Sequence, residues 1–157
     1  MKLGDFVIRE AIVADLAATT KEEAVKEIIA SLTRAGHVKQ EEAQSVFQAI
    51  MKREELGSTG IGNGVAVPHT KHPSVSKMVA TVAVSKKKLD FQSIDRGPVD
   101  LIFLLVSPPD RPGDHLRALQ LISQHLREEI FCRFLRQSTT PEAVSEILQE
   151  ADEGKLL

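Results

Sequence analysis

The feature that most constrains the fold of this chain is a glycine-rich stretch at residues 57–70, which read GSTGIGNGVAVPHT. Four of the nine glycines of the chain fall within eight positions there. Such clustering is typical of backbone that adopts positive φ angles or approaches another group closely. The β-branched run 65–67 is too short for a helix and predicts a strand that ends at Pro68. We therefore expect His69 at the end of a strand, beside a loop rich in backbone donors, and take its imidazole as the candidate chemical centre.

Composition narrows the class of protein. With 157 residues, of which 42% are hydrophobic and 27% charged, the chain fits one globular domain, expected to span residues 1–157. A net charge of −2 and the absence of Trp and Tyr argue against nucleic-acid binding. The longest strongly apolar run, 101–106, is too short for membrane insertion. Because the single cysteine, Cys132, forms no disulfide within the chain and no signal peptide is apparent, we expect a cytoplasmic protein.

The order of the hydrophobic patterns predicts an α/β fold. Two amphipathic helices come first, one capped by Thr19 or Thr20 and the next opening at Gln40. Strands follow, with Lys86–Lys88 as the tip of a hairpin. Further elements are predicted at 11–14 (an edge strand or a terminal turn), 78–84 and 100–106 (strands), and from His115, at 130–137 and from Thr140 (helices). Helices, then clustered strands, then helices predict a three-layer α/β/α sandwich around a mixed sheet.

Two further side chains fall on the inward faces of predicted helices. Arg53 ends the apolar stripe of the second helix, next to the glycine-rich stretch. His115, which we expect Asp114 to cap, begins the stripe of a later helix. Together with His69, these residues suit a phosphoryl group carried on nitrogen. A neutral imidazole is both a good nucleophile and a good leaving group, and a guanidinium offsets charge on the equatorial oxygens.

The competing motifs fail on their details. A phosphate-binding loop counted from Gly57 places Asn63 where lysine is required, and a dinucleotide fingerprint counted from Gly60 places Val65 at its third glycine. The pair His69-x-x-His72 has the spacing of metal ligands, but no second pair completes a zinc site. We therefore predict neither a nucleotide site nor a metal site.

Two motifs carry a resemblance to a known family. Residues 53–69, REELGSTGIGNGVAVPH, resemble the phosphohistidine signature of enzyme IIA proteins of the fructose/mannitol type, from the bacterial phosphoenolpyruvate-dependent phosphotransferase system. The second block of that family, a proline-rich turn followed by His-Leu-x-x-Leu, matches residues 112–119. The similarity covers nearly the whole chain. After the histidine, residues 70–73 (TKHP) differ from the small residues and arginine of many members, which bears on the choice of partner.

The resemblance implies a role for each matched position. His69 would be phosphorylated, at Nε2, by an HPr-type phosphocarrier, and His115 and Arg53 would support it. The implied fold is again a three-layer α/β/α domain, with no metal and no organic cofactor. The residues that would line the pocket are Thr59, Gly60, Gly62 and Gly64.

The resemblance leaves the biological role open between two kinds of protein. Nitrogen-type IIA proteins regulate other proteins according to their phosphorylation state, and we expect this chain to be one of them. The alternative is a sugar-uptake component that passes phosphate to a IIB domain of a transporter. A third hypothesis is a binding module that has lost phosphotransfer, against which the presence of His69, His115 and Arg53 counts.

Overall fold

The computed structural model describes residues 1–156, which form a five-stranded sheet with helices on both faces. The elements in chain order are α1 (Lys21–Arg34), α2 (Ala43–Glu55), β1 (Gly60–Gly62), β2 (Val65–Ala66), β3 (His69–Lys71), β4 (Val79–Leu89), β5 (Val99–Ser107), α3 (Pro112–Leu126), α4 (Glu129–Gln137) and α5 (Pro141–Asp152). Short 3-10 turns occupy Leu3–Asp5, Arg9–Ala11 and Gln40–Glu42.

The sheet is organised around β5, which is the most apolar strand. It pairs in parallel with β2 and β3 and antiparallel with β4, while β1 pairs antiparallel with β2. Every residue of β5 except Asp100 is buried, as expected for a strand covered on both faces. The predicted mixed sheet is therefore confirmed, with the predicted strand 100–106 at its centre.

Alternating side chains of β5 divide the interior into two cores. Leu101, Phe103 and Leu105 pack against the layer formed by α3, α4 and α5. Ile102 and Leu104, on the opposite face, pack in the core that includes α1 and α2. The period of two along the strand thus accounts for both helical layers and confirms the α/β/α sandwich.

The strand before the candidate histidine ends ahead of Pro68, as predicted, but His69 begins the next strand instead of closing this one. Pro68 interrupts the pairing, because proline has no backbone N–H to give to the ladder. Pairing with β5 resumes at once, since His69 lies opposite Leu105 in parallel register and the carbonyl of Pro68 accepts from the N–H of Leu105 at 3.1 Å. His69 is therefore the first residue of β3, and pairing with β5 holds its backbone in place.

Two local predictions are wrong. Lys86–Lys88 is no hairpin tip, because β4 continues through it with a shift of register before Leu89. Nζ of Lys86 donates to the carbonyls of Arg136 and Ser138, both at 2.7 Å, which ties this stretch to the end of α4.

The start of α3 also differs from the prediction. The helix begins at Pro112 with Arg111 as its N-cap, so Asp114 is inside the first turn and caps nothing. A proline suits the first helical position because its missing N–H has no helical acceptor to lose there. His115 is consequently the fourth residue of α3 rather than the first.

The N-terminal segment covers the free edge of β4. The N–H of Ile8 donates to Ala80 and that of Val13 to Val82, at 2.8 and 3.0 Å. Isolated parallel bridges join Val7 to Ala80 and Val13 to Ala83. Of the two predictions for residues 11–14, the edge position is the closer one, although most of the segment is a pair of 3-10 turns. Several backbone groups along this edge of β4 are thereby paired within the chain.

Candidate functional site

His69 lies at the carboxyl end of β5 with its ring oriented by a backbone carbonyl. Its Nδ1 is 2.7 Å from the carbonyl oxygen of Val67. Because a carbonyl oxygen only accepts, Nδ1 carries the proton, and the lone pair of the neutral ring is on Nε2. His69 is partly exposed and lines a cavity open to solvent. The bond to Val67 thus fixes both the tautomer and the direction of the ring.

A cavity of about 450 Å³ surrounds this imidazole and is open to solvent. Its walls come from α2, β3 and α3, and they carry Arg53, His69, Thr70, Lys71, His115 and Leu119. The ring centroids of His69 and His115 are 5.4 Å apart, with the rings inclined by 54°. Sites of α/β sheets commonly form at the carboxyl ends of parallel strands, where loops and helix starts converge. The three residues predicted to carry the chemistry therefore share one cavity.

His115 projects from the first turns of α3 and is only 6% exposed. Its Nδ1 lies 2.6 Å from Oγ of Ser107, the last residue of β5. The other ring nitrogen, Nε2, has no such neighbour among residues 1–156, and His115 lines the cavity. The ring is therefore anchored on one side and available to a ligand on the other.

Both imidazoles are kept neutral near pH 7. Burial lowers the pKa of His69, and the positive charge of Arg53 lowers it further, against the bond to Val67, which raises it. Burial, followed by the proximity of His69 and Lys71, lowers the pKa of His115 to about 4. An uncharged His69 retains the lone pair that a nucleophile needs. The site thus combines two neutral rings with the fixed positive charge of Arg53.

Arg53 is held at the end of α2 by the loop that follows the helix. Its Nη1 donates to the carbonyl of Gly57 at 2.9 Å. The next residue, Glu54, is buried and accepts from Nζ of Lys21 at 2.7 Å and from the N–H of Thr59 at 3.2 Å. A paired buried carboxylate fixes its neighbours because an unpaired one would be costly. Arg53 is therefore held by its own bond to Gly57 and by the pairing of the adjacent Glu54.

The glycine-rich stretch has a different place from the one predicted. Thr59 is buried, and its hydroxyl donates to Glu54. Gly60 and Gly62 belong to β1, and Gly62 lines a separate cavity against α3 and α4. Gly64 has a φ of 81°, and a Cβ there would lie 2.7 Å from Nη2 of Arg136 and 2.8 Å from Oδ1 of Asp100. None of these four residues is among those that line the cavity of His69, because the glycines form strand β1 and the turn that follows it.

The structure also brings in residues that the sequence reasoning missed. Lys71 lines the cavity, Ser107 contacts the ring of His115, and the Lys21–Glu54 pair supports the site from outside the cavity. Ser107 had a usable signal, since it directly follows the apolar run 101–106 and so lies at the carboxyl end of the central strand. Lys21 had no such signal in the sequence, because its partner Glu54 is more than thirty positions away.

His72 has a structural environment of its own. Its Nε2 is 2.8 Å from Oγ of Ser45 on α2, and its Nδ1 accepts from the N–H of Ser74 at 3.1 Å. Both ring nitrogens are thus engaged by groups of the chain. Within residues 1–156 no cluster of three or more His, Cys, Asp or Glu side chains has the geometry of a metal site.

This fold and this site define a class of small α/β proteins with an oriented, neutral histidine at the carboxyl end of the central strand. The family model described as "Phosphoenolpyruvate-dependent sugar phosphotransferase system, EIIA 2" matches residues 5–151. The chain therefore belongs to the type-2 enzyme IIA family of the phosphotransferase system. Among residues 1–156, no helix combines the length and the hydrophobicity required to span a membrane.

Curated relatives include both regulatory and sugar-specific proteins. The chain is 36% identical over 148 residues to a nitrogen regulatory protein of Bradyrhizobium diazoefficiens, which covers 94% of this chain and 95% of that protein. It is 30% identical over 152 residues to the fructose-specific EIIABC component of the phosphotransferase system of Bacillus subtilis, covering 97% of this chain and 24% of that protein. The match therefore extends over nearly all of this chain in both cases.

Solved structures share the fold. The nitrogen regulatory protein IIA-Ntr of Neisseria meningitidis superposes with a TM-score of 0.83 at 29% identity, over 93% of this chain and 98% of that one. A complex of enzyme IIAMTL with phosphorylated enzyme IIBMTL from Escherichia coli gives a TM-score of 0.74 at 24% identity, over 89% and 94% of the two chains. The second likeness concerns the fold alone.

Proposed function

We propose that this protein is a phosphotransferase component that carries a phosphoryl group transiently on Nε2 of His69. The observation that carries the proposal is the 2.7 Å bond from Nδ1 of His69 to the carbonyl of Val67, which leaves the lone pair on Nε2. Membership of the enzyme IIA family supports a role for that nitrogen as the acceptor of a phosphoryl group. We take residues 1–157 as one domain, because both cores share the single sheet.

The transfer is a displacement at phosphorus between two histidines. The lone pair of Nε2 attacks the phosphorus of a phosphohistidine on the donor, and a new N–P bond forms. The donor N–P bond breaks, and its electron pair returns to the nitrogen of the donor imidazole. In a second displacement, a nucleophile of the acceptor attacks the phosphorus, the Nε2–P bond breaks, and its electron pair returns to Nε2 of His69. The lowered pKa of His69 keeps the nucleophile uncharged during this exchange.

Arg53 and His115 stabilise the charge that is being transferred. The guanidinium of Arg53 lines the same cavity and neutralises charge on the equatorial phosphoryl oxygens. His115, neutral at pH 7, offers Nε2 as a hydrogen-bonding group without adding a proton-transfer step. Lys71, on the same wall, adds a second positive charge. The open mouth of the cavity suits the entry of a histidine from another protein.

The partners follow from the family. The donor is an HPr-type phosphocarrier, and the acceptor is a IIB domain or a regulated target protein. The complex of a IIA and a phosphorylated IIB protein from Escherichia coli shares this fold, which supports the second step. The reaction draws on no cofactor, since the phosphoryl group itself is the cargo.

A regulatory, nitrogen-type role is the one we favour. The nitrogen regulatory protein of Bradyrhizobium diazoefficiens matches this chain along almost its whole length. The sugar-uptake alternative has support in the match to the fructose-specific component of Bacillus subtilis, of which a domain of this size forms only a part. A fructose-type or mannitol-type IIB domain separates the two roles: rapid transfer from the phosphorylated protein to that domain favours uptake, and retention of the label favours regulation.

Incubation with enzyme I, an HPr-type carrier and labelled phosphoenolpyruvate tests the relay itself. We expect acid-labile label on the wild-type protein and none on His69→Ala. The matched control is His37→Ala, which removes a partly exposed histidine outside the cavity and leaves labelling unchanged. Label that persists in His69→Ala would refute the assignment of the acceptor.

A further inference from the structure

A serine at the end of the central strand contacts the second imidazole of the site. Ser107 is fully buried, and its Oγ lies 2.6 Å from Nδ1 of His115. The backbone carbonyl of Ser107 is already occupied by the N–H of His72 at 2.8 Å. The ring of His115 is the one hydrogen-bond partner of the side-chain hydroxyl among residues 1–156.

The fold places this hydroxyl with little freedom. Along β5, Ser107 has the same orientation as Leu105 and Phe103, toward the layer of α3. Helix α3 starts at Pro112, so that His115 falls in its first turns directly after the strand. The contact thus joins a rigid strand end to a rigid helix start, and it orients the ring in the absence of any ligand.

The negative charge of the transferred phosphoryl group determines which tautomer of His115 interacts with it favourably. A phosphoryl group on Nε2 of His69 has anionic oxygens, which a lone pair on the facing ring repels and an N–H attracts. A neutral imidazole has only one N–H, so with the proton on Nε2, Nδ1 has a lone pair and can take part in its contact with Ser107 only as an acceptor. Ser107 is then the donor. The low pKa of His115 agrees with a singly protonated ring.

We propose that Ser107 is a positioning residue, whose hydroxyl donates to Nδ1 of His115 and so keeps the ring proton on Nε2, facing the phosphoryl group. This inference rests on the proposed function of His69. In this proposal, a buried serine determines which of its two tautomers the neighbouring histidine adopts. Ser107 touches neither the cargo nor His69 and acts only through His115.

The test reads the tautomer directly in the unphosphorylated full chain. A long-range proton–nitrogen correlation spectrum of protein labelled with nitrogen-15 distinguishes a protonated ring nitrogen from one with a lone pair. At pH 7 we expect His115 to show a protonated Nε2 and an unprotonated Nδ1. A protonated Nδ1 would mean that the ring donates to Ser107, and it would overturn the proposal without any variant.

Variants then link the tautomer to the reaction. In Ser107→Ala, Nδ1 gains a measurable share of the proton and phosphate acceptance slows roughly tenfold, the usual effect of losing one hydrogen bond to a charged group. Ser107→Thr keeps a hydroxyl and restores both properties. The matched control is Ser85→Ala on β4, which removes a buried Oγ that has no hydrogen-bond partner among residues 1–156. An unchanged tautomer in Ser107→Ala would overturn the proposal.

The two proposals fail in different ways. If wild-type protein with a protonated Nε2 on His115 accepts no phosphate, the relay function is refuted while the assignment of the hydrogen bond stands. If phosphate is accepted with a protonated Nδ1, the relay stands and the role of Ser107 is refuted.

Discussion

At the scale of single residues, the site depends on two histidines that the fold keeps uncharged. The bond to Val67 and the contact with Ser107 orient the two rings before any partner arrives. Preorganised groups of this kind stabilise developing charge without the cost of reorganising at the moment of reaction. The chemistry is thus specified by two hydrogen bonds, each 2.7 Å or shorter.

The low pKa of His115 predicts a loss of stability in acid. The pKa is about 4 in the folded protein and 6.5 in the unfolded chain, so between these values the unfolded chain binds more protons. The free energy of unfolding is therefore highest above pH 6.5 and falls toward pH 4, by roughly 3 kcal/mol for this group alone. Urea unfolding at several pH values measures it. His115→Asn flattens the profile, whereas an equally steep profile in that variant would show that other groups are responsible.

Arg53 predicts a separate effect on rate. Arg53→Ala removes the charge that faces the phosphoryl oxygens, and we expect acceptance from the carrier to slow roughly a hundredfold. Arg53→Lys recovers only part of that loss, because an ammonium lacks the planar pair of donors. Single-turnover labelling measures both, with Arg34→Ala, an exposed arginine of α1, as the control. A rate for Arg53→Ala that matches the control would remove Arg53 from the mechanism.

At the scale of the elements, the site is held by a buried ion pair between α1 and α2. The side chains of Lys21 and Glu54 are 6% and 2% exposed, and Nζ of Lys21 also donates to the carbonyl of Phe91 at 3.3 Å. Glu54 in turn holds the N–H of Thr59 at the start of the glycine-rich stretch. This one carboxylate therefore connects two helices to the loop that Arg53 contacts.

We predict that Glu54→Ala destabilises the protein by about 3 kcal/mol, because it leaves the Lys21 ammonium buried without a negative charge beside it. The double variant Lys21→Met, Glu54→Leu recovers much of that loss, since no unpaired charge remains. Glu153→Ala, which breaks the exposed pair with Lys155, leaves stability essentially unchanged, because solvent screens an exposed ion pair. Urea denaturation compares all three variants. A double variant no more stable than Glu54→Ala would contradict this explanation.

The secondary-structure elements also show which parts of the fold the sequence alone predicts. The hydrophobic period predicts β5, all the longer helices and the three layers, because burial on two faces determines them. It misses the resumption of pairing after Pro68 and the continuity of β4 through Lys86–Lys88, since both depend on partners distant in the sequence. The sequence singles out His69, His115 and Arg53 because each lies at one end of an apolar pattern, and the structure places all three in one cavity. The glycines are misplaced because a turn and an anion cradle have the same composition.

At the scale of the whole molecule, one strand organises both the fold and the site. The carboxyl end of β5 lies beside His69 on β3 and provides Ser107, and α3 follows it with His115. The N-terminal segment closes the far edge of the sheet along β4. The edge of the sheet along β4 is thus covered by the chain itself. The cavity at His69 stays open to solvent, which suits an exchange of phosphate between proteins.

The identity of the phosphorylated atom tests the central claim most directly. The protein, labelled with nitrogen-15 and phosphorylated through enzyme I and an HPr-type carrier, should show the nitrogen–phosphorus bond at Nε2 of His69, with Nδ1 still protonated and bonded to Val67. Nuclear magnetic resonance of the ring nitrogens, before and after phosphorylation, makes this measurement. A phosphoryl group on Nδ1 of His69, or on any other histidine, would contradict the account.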